Sequence, residues 1–445
     1  MKYTVQNQGA STLSVCVKIY RLRMHNCISI SELAEIMQVG HEWVARVERG
    51  EDEYTTTHID ALKKHLCLTG LPITPEERAA FKKKMYYWRD LIRNKKLDKA
   101  RLIQQEVTNI INLEPCDASI VMLCKLIKIQ LLLQEDNHAT AEMLLATFVQ
   151  ELCRMDDECL YHYYYAKGIL VNAQERYEDC LDYFLLAYEL AEDNSTILPK
   201  EDAWLYYYIA LCYTKIEIPH RAVFFWQKAK YACANDESTS FTLQIDRGLA
   251  ANYIKLNQLK DAKRLLDKCA QVDQSLMNDA CIGVTYMYLG CMHKEAKNWV
   301  SAIKYLDMAL EHLPANTDCY YASMYHKIFC AIQTKSVVAA NQQFEHISAL
   351  GLVGAVWTIY FDALSHYYMI INNMTSYKND KSVAYIEKIA IPHFISEHDY
   401  FLAIEYYTLL EQYYSNLNLT KKSLAMTQAI NTLYKRCLLN HDRDD

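Results

Sequence analysis

Near the start of this 445-residue chain, His41, Glu42, Trp43 and Arg46 set donors, an acceptor and a ring at the spacing of one short helix. That is the chemistry of base reading. Arg46 is the best placed, because a guanidinium bonds guanine O6 and N7 together, worth about 1–3 kcal/mol of discrimination. Glu42 is repelled by phosphate but accepts from cytosine N4, and Trp43 divides between reader and core. A second set lies downstream: Asn172, Tyr207, Lys215, Gln244, Arg247, Lys255 and Lys294 share one face of successive helical segments, with Asn252 one position off it. Amide side chains on such a face pair with an extended peptide backbone, and Lys or Arg holds a carboxylate. The sequence has no P-loop, HExxH, GxSxG or metal-spaced Cys/His cluster, so no catalytic residue, cofactor or metal is expected. His162, His293 and His326 are single and read as structural.

The elements that position the first set are short and amphipathic. Val15, Ile19 and Leu22 share a face; so do Leu33, Ala34 and Met37, then Val44 and Val47, then Ile59, Leu62 and Leu66. Ser29 followed by Glu32 is a capping box that starts a helix at about Ile30. The turn Gln38-Val39-Gly40 separates it from a helix beginning at His41, the spacing of a helix-turn-helix. Ile19-x-x-x-Arg23, Ser31-Glu32-Leu33-Ala34-Glu35, Val39, Val44 and Glu48-Arg49-Gly50 resemble the Xre/phage-repressor-like helix-turn-helix over about 55 residues. That resemblance implies a structural ion pair between Arg23 and Glu48, and groove-facing roles for His41, Glu42, Trp43 and Arg46. Ile30 departs from it where a backbone-touching Gln is usual, and Gln38 where a turn Gly is common.

The second set rests on a repeat. Gly168, Val171, Cys180, Phe184 and Ala187 recur as Ala210, Tyr213, Ala222, Trp226 and Ala229, then Ala250, Tyr253, Ala262, Leu266 and Cys269, then Gly290, His293, Ala302, Leu306 and Ala309. The offsets are 42, 40 and 40 residues, with Pro314 closing the last frame. Small residues stand where two helices approach and a large one between them, which resembles the tetratricopeptide repeat with a period longer than about 34. Weaker hairpins fall at 81–113, 120–155, 322–350 and 357–393, and around Leu410, Tyr413, Met426 and Ala429. Stacked hairpins give a concave binding surface lined by first helices, where Lys215, Arg247, Lys255 and Lys294 form a basic stripe.

Ten Gly and seven Pro against 51% hydrophobic residues leave little turn chemistry for strands. The expected fold class is all-α: an N-terminal helix-turn-helix domain followed by a right-handed superhelix of tetratricopeptide-like helical hairpins. Residues 1–70 are expected to bind DNA, 71–104 to form a basic linker helix and the start of the first hairpin, and 105–445 to form the peptide-binding array. Basic and acidic residues number eight and eight over 1–75, ten and four over 76–104, and 29 and 42 beyond, for a net charge of −7. Sixteen Cys without a CxxC pair, no signal-peptide pattern and no membrane-length apolar run lead to an expected cytoplasmic location with reduced thiols.

This domain order, with Tyr87-Trp88-Arg89-Asp90-Leu91-Ile92 and Leu97-Asp98-Lys99-Ala100, resembles the peptide-pheromone receptors of Gram-positive bacteria abbreviated RRNPP, of the NprR and PlcR type. The resemblance implies a quorum-sensing transcription regulator: a homodimer on an operator of double-stranded DNA, switched by a short signalling oligopeptide. Half-sites would lie about 34 Å apart or at multiples of that. The expected dimer contact is the C-terminal hairpins, 399–438, and the basic stretch 78–101 would couple the two regions. Relatives with similar arrays act instead on response-regulator proteins, by sequestering them or promoting dephosphorylation, and that remains the alternative.

Overall fold

The computed structural model describes residues 16, 19–20, 23–24, 27–49, 51–66, 75–113, 118–193, 202–233, 239–276, 278–334, 355–375 and 379–439. Val15, Leu22, Gly50 and the second half of the 322–350 hairpin lie outside them. Among the described residues every regular element is helical. The chain divides into two compact units, Met1–Lys200 and Glu201–Asp445.

The first unit opens on α1 (Ile30–Met37), α2 (His41–Glu48) and α3 (Thr56–His65). Both halves of the Ser29/Glu32 capping box are made, the Ser29 N–H donating to Glu32 at 2.7 Å and the Glu32 N–H to the Ser29 hydroxyl at 3.1 Å. Gln38 ends α1 at φ 56°, the left-handed conformation that Gly adopts at lower cost, which accounts for the departure noted at this position. Leu33, Met37, Val44, Val47 and Leu62 close a small core with Ile19 and Tyr54. Three hairpins follow: α4 (Pro75–Arg93) with α5 (Leu97–Leu113), α6 (Ala118–Gln134) with α7 (His138–Thr147), and α8 (Asp157–Ala173) with α9 (Tyr177–Asp193). Met85 and Trp88 are fully buried in one cluster with Leu126, Ile127 and Ala166, so the helix that opens the basic stretch packs into the array.

The second unit continues with α10 (Ala203–Lys215) and α11 (Pro219–Ala232), α12 (Thr239–Lys255) and α13 (Leu259–Leu276), and α14 (Asp279–Glu295) and α15 (Trp299–His312). Then come α16 (Asp318–Gln333), α17 (Ala355–Asn372), α18 (Asp380–Tyr385), α19 (Ile391–Ser396), α20 (Tyr400–Asn416) and α21 (Thr420–Leu439). A π-turn, Ile386–Ala390, joins α18 to α19 just before Pro392. Proline has no N–H for the α-helical ladder, and a widened turn absorbs that loss. Asp156, Asn278 and Asn298 cap α8, α14 and α15 through their side chains. Helices of 17 and 18 residues explain the 40-residue period.

The frame read from the sequence is the packing frame. Each hairpin turn holds one left-handed residue, Glu175, Glu217, Asn257 and Lys297, at φ 55–59° and in register with the repeat. These non-glycine turns are how ten Gly suffice for so many connections. At the small position of the first frame, a Cβ on Gly168 would lie 2.6 Å from the ring of the fully buried Phe184. A methyl there forces the ring to move. Gly168→Ala is therefore expected to cost about 1–3 kcal/mol, read as a lower urea midpoint at unchanged slope.

Candidate functional site

In the N-terminal domain, Arg23 is 8% exposed. Its Nε and Nη2 donate to the two Glu48 oxygens at 2.7 and 2.9 Å, and its Nη1 to the Ile28 carbonyl at 3.0 Å. This fork ties the segment before α1 to the end of α2 and fixes how α2 is rolled. His41, Glu42 and Arg46 are thereby left exposed on its outer side. Trp43 is half-buried, with its ring edge-on to Tyr54 at 5.7 Å and to His58 at 4.7 Å. Its indole serves the packing of α2 on the domain and also reaches the outer face. Gly40, His41, Glu42, Trp43, Ala45, Arg46 and Arg49 line a shallow concavity.

Arg49 belongs to this surface and was not singled out by the sequence pattern, although it stands one turn beyond Arg46. Both arginines have acidic neighbours: Arg46 lies 3.6 Å from Asp52, and Arg49 donates to Glu51 at 2.8 and 3.1 Å. Exposed pairs like these are weakened by solvent screening, so they exchange readily for another anion.

The first helices α4, α6 and α8 bring together a polar set in which Arg93, Gln130 and Glu158 were not singled out as site residues from the sequence. Arg89 lies over the Tyr86 ring and Arg93 over Tyr165, at 4.8 and 4.9 Å. Gln130 meets His162 at 3.2 Å, while Glu158 takes Tyr86 at 2.7 Å and also Lys82. The available signal was the four-residue spacing of Arg89 and Arg93 on a face shared with Tyr86. Asn172, on the same helix as His162, is half-buried, and its Oδ1 has no partner among the described residues.

In the second unit the candidates fall on the first helices as expected, but the basic stripe is already compensated. Arg247 is 6% exposed and donates to both Asp273 oxygens at 3.2 and 3.0 Å; Asp273 also accepts from Thr285 at 2.8 Å. Lys255 donates to Glu217 at 2.8 Å, and Lys294 to Glu405 at 3.3 Å. Burial pulls the Lys294 ammonium pKa down, but Glu405 and Glu295 outweigh it and the net is upward. Desolvated cations require such partners. Asn252 is fully buried, donating to Thr214 at 2.8 Å and to the Gly248 carbonyl at 2.9 Å, so it belongs to the packing between hairpins. Tyr207 packs among Trp204, Trp226 and Phe241, and burial raises its pKa. Lys215 and Gln244 are exposed.

This region gathers around Asp399, whose carboxylate accepts from the Tyr360 hydroxyl. Burial, and then the negative charge of Glu217, push its pKa from 3.8 to about 6 against the pull of Tyr360, Lys255 and Lys215. Nearby, burial and Lys294 lower His326 to about 3, and burial raises the Cys291 thiol to about 12. Among the described residues no group of His, Cys, Asp and Glu could hold a metal ion, and no helix is long and apolar enough to cross a membrane. A carboxyl with a raised folded pKa stabilises the fold below its ordinary value and loses that contribution as pH rises through about 6. Asp399→Asn should thus gain melting temperature over the parent above pH 6, with the gap closing towards pH 4, followed by calorimetry across that range.

No family model matches the sequence, and no curated protein matches it. Solved structures do. The apo form of the quorum sensor NprR from B. thuringiensis aligns over 81% of this chain and 99% of its own, at 19% identity and TM-score 0.61. NprR in complex with its cognate peptide NprX aligns over 80% and 99%, at 20% identity and TM-score 0.60. A Rap protein complexed with competence and sporulation factor aligns over 81% and 98%, at 14% identity and TM-score 0.61. The repeat array of this chain has the fold these proteins share.

Proposed function

We propose that the chain is a DNA-binding transcription regulator whose repeat array receives a short signalling oligopeptide. The observation that carries this reading is one chain holding two devices. Its helix-turn-helix is braced by the buried Arg23–Glu48 fork with His41, Glu42, Arg46 and Arg49 facing outward. Its array has the fold of sensors, one of them solved with its cognate peptide. Arg46 is the base reader and Arg49 a backbone contact. Lys215, Gln244, Lys255 and Lys294 of the second unit face the peptide, while Arg247, Asn252 and Tyr207 hold the shape of its site.

A homodimer on double-stranded operator DNA completes the reading. Tyr406, Leu409 and Tyr413 of the C-terminal hairpin are taken up by the core, and the surface left for a second copy is on α21, where Leu424, Tyr434 and Leu438 are exposed. The Rap likeness favours a second reading, binding of a response-regulator protein, which needs no DNA. Chromatin-wide occupancy of the wild type beside Arg46→Ala separates the two. Discrete sites that weaken about tenfold or more in the variant are expected, the loss that one bidentate base contact implies. Absence of any enriched site in the wild type sinks the DNA reading and leaves the response-regulator one.

A further inference from the structure

Glu217 stands at the turn between α10 and α11, at φ 57°. This conformation suits Asn, which occupies the same turn of the next repeat at Asn257, better than Glu. Its buried carboxylate is shared. One oxygen accepts from the Lys255 ammonium at 2.8 Å, and the other accepts from the backbone N–H of Phe401 at 2.8 Å. That N–H opens α20, whose own flanking residue, Asp399, makes no side-chain cap because its carboxylate accepts from Tyr360. The cap is supplied instead from 184 residues away, by a charged group on the positive end of the helix. The His220 ring on the Leu438 carbonyl at 2.9 Å attaches the same hairpin to the Glu217 repeat, and Lys294 on Glu405 attaches it to α14. Lys255 also lies over the Phe401 ring at 5.9 Å.

We infer that Glu217 is a positioning residue that couples the ligand-facing Lys255 to the C-terminal hairpin through one shared carboxylate. A ligand carboxylate that takes Lys255 leaves Glu217 without its cation beside Asp399, and the cap on Phe401 loosens. The start of α20 is then released in proportion to ligand binding. The ligand half of this inference rests on the peptide-receptor reading; the cap does not.

The test is amide hydrogen exchange on the full-length, peptide-free protein, wild type beside Glu217→Gln and Glu217→Asn. Exchange at Phe401 and the first turn of α20 should rise about tenfold or more in both variants, as expected for loss of a charge-assisted cap. A residue that only shapes its turn would behave otherwise, since Asn relaxes the left-handed backbone. Unchanged or slower exchange in Glu217→Asn overturns the coupling. A second arm adds synthetic heptapeptides with free C-termini, screened singly, and their C-terminally amidated forms. Free-carboxylate peptides that bind should raise exchange at Phe401 in the wild type, and amidated ones should not. Binding without that rise overturns the ligand half, whereas no binding by any peptide counts against the receptor reading and leaves the variant result to judge the cap alone.

Discussion

How closely the two helices of a hairpin approach governs the rest of the array. Gly168, Ala210, Ala250 and Gly290 hold that approach in four successive frames, with Phe184, Trp226, Leu266 and Leu306 as the large residues of the same frames. The left-handed turn residue fixes the connection between the two helices. Since both are in register, each new first helix of the second unit arrives with the same roll, and residues about 40 positions apart come to one face of that unit. Nothing else is needed to assemble a polar face from side chains that lie on three successive hairpins, from Lys215 to Lys294. Cavity or overpacking changes at these contacts would accordingly reach the site through geometry alone.

The same close packing decides what the polar face can hold. A cation in a crowded, poorly solvated place needs an acid, and Arg247, Lys255 and Lys294 each have one within 3.3 Å. These pairs are not equivalent. Arg247 and Asp273 are both buried, locked further by Thr285, and removing either partner leaves an uncompensated charge. Lys255 keeps more than a quarter of its side chain exposed, so its acid can be exchanged for a ligand's. The thiols fit this picture: burial holds Cys291 and Cys330 at about 12, as neutral thiols with little reactivity.

Local chemistry was legible in the sequence. The Ser29/Glu32 box set the start of α1, the Gln38–Gly40 break set the start of α2, and spacing alone set the four frames. What stayed hidden depends on long-range partners. Asn252 reads as a ligand amide until Thr214 is seen beside it, and Lys255 reads as a free cation until Glu217 is. The Glu217–Phe401 contact has no periodic trace, because 184 residues separate its two ends and one of them is a backbone N–H. The π-turn before Pro392 was hidden for a different reason: proline predicts a break, and the chain widened instead. Arg93 and Gln130 have no trace in the repeat frames, and Arg89 enters only through the Tyr87–Ile92 motif, because those frames begin only at Gly168.

The N-terminal domain carries as many acids as bases over its first 75 residues, a balance that would suit the selective DNA reading proposed for it. Glu51 and Asp52 sit against Arg49 and Arg46, so free cation concentration at the exposed face is low. Non-specific affinity for DNA comes mainly from counterion release by cations, and it would be weak here. An arginine that leaves an exposed acid for a guanine edge gives up little and gains two directed bonds. On DNA, such a head would depend on base contacts and on a second head bound nearby. Its occupancy would then follow whatever sets the distance between heads, which makes a weakly basic reader better suited to control by a ligand-responsive array than a strongly basic one.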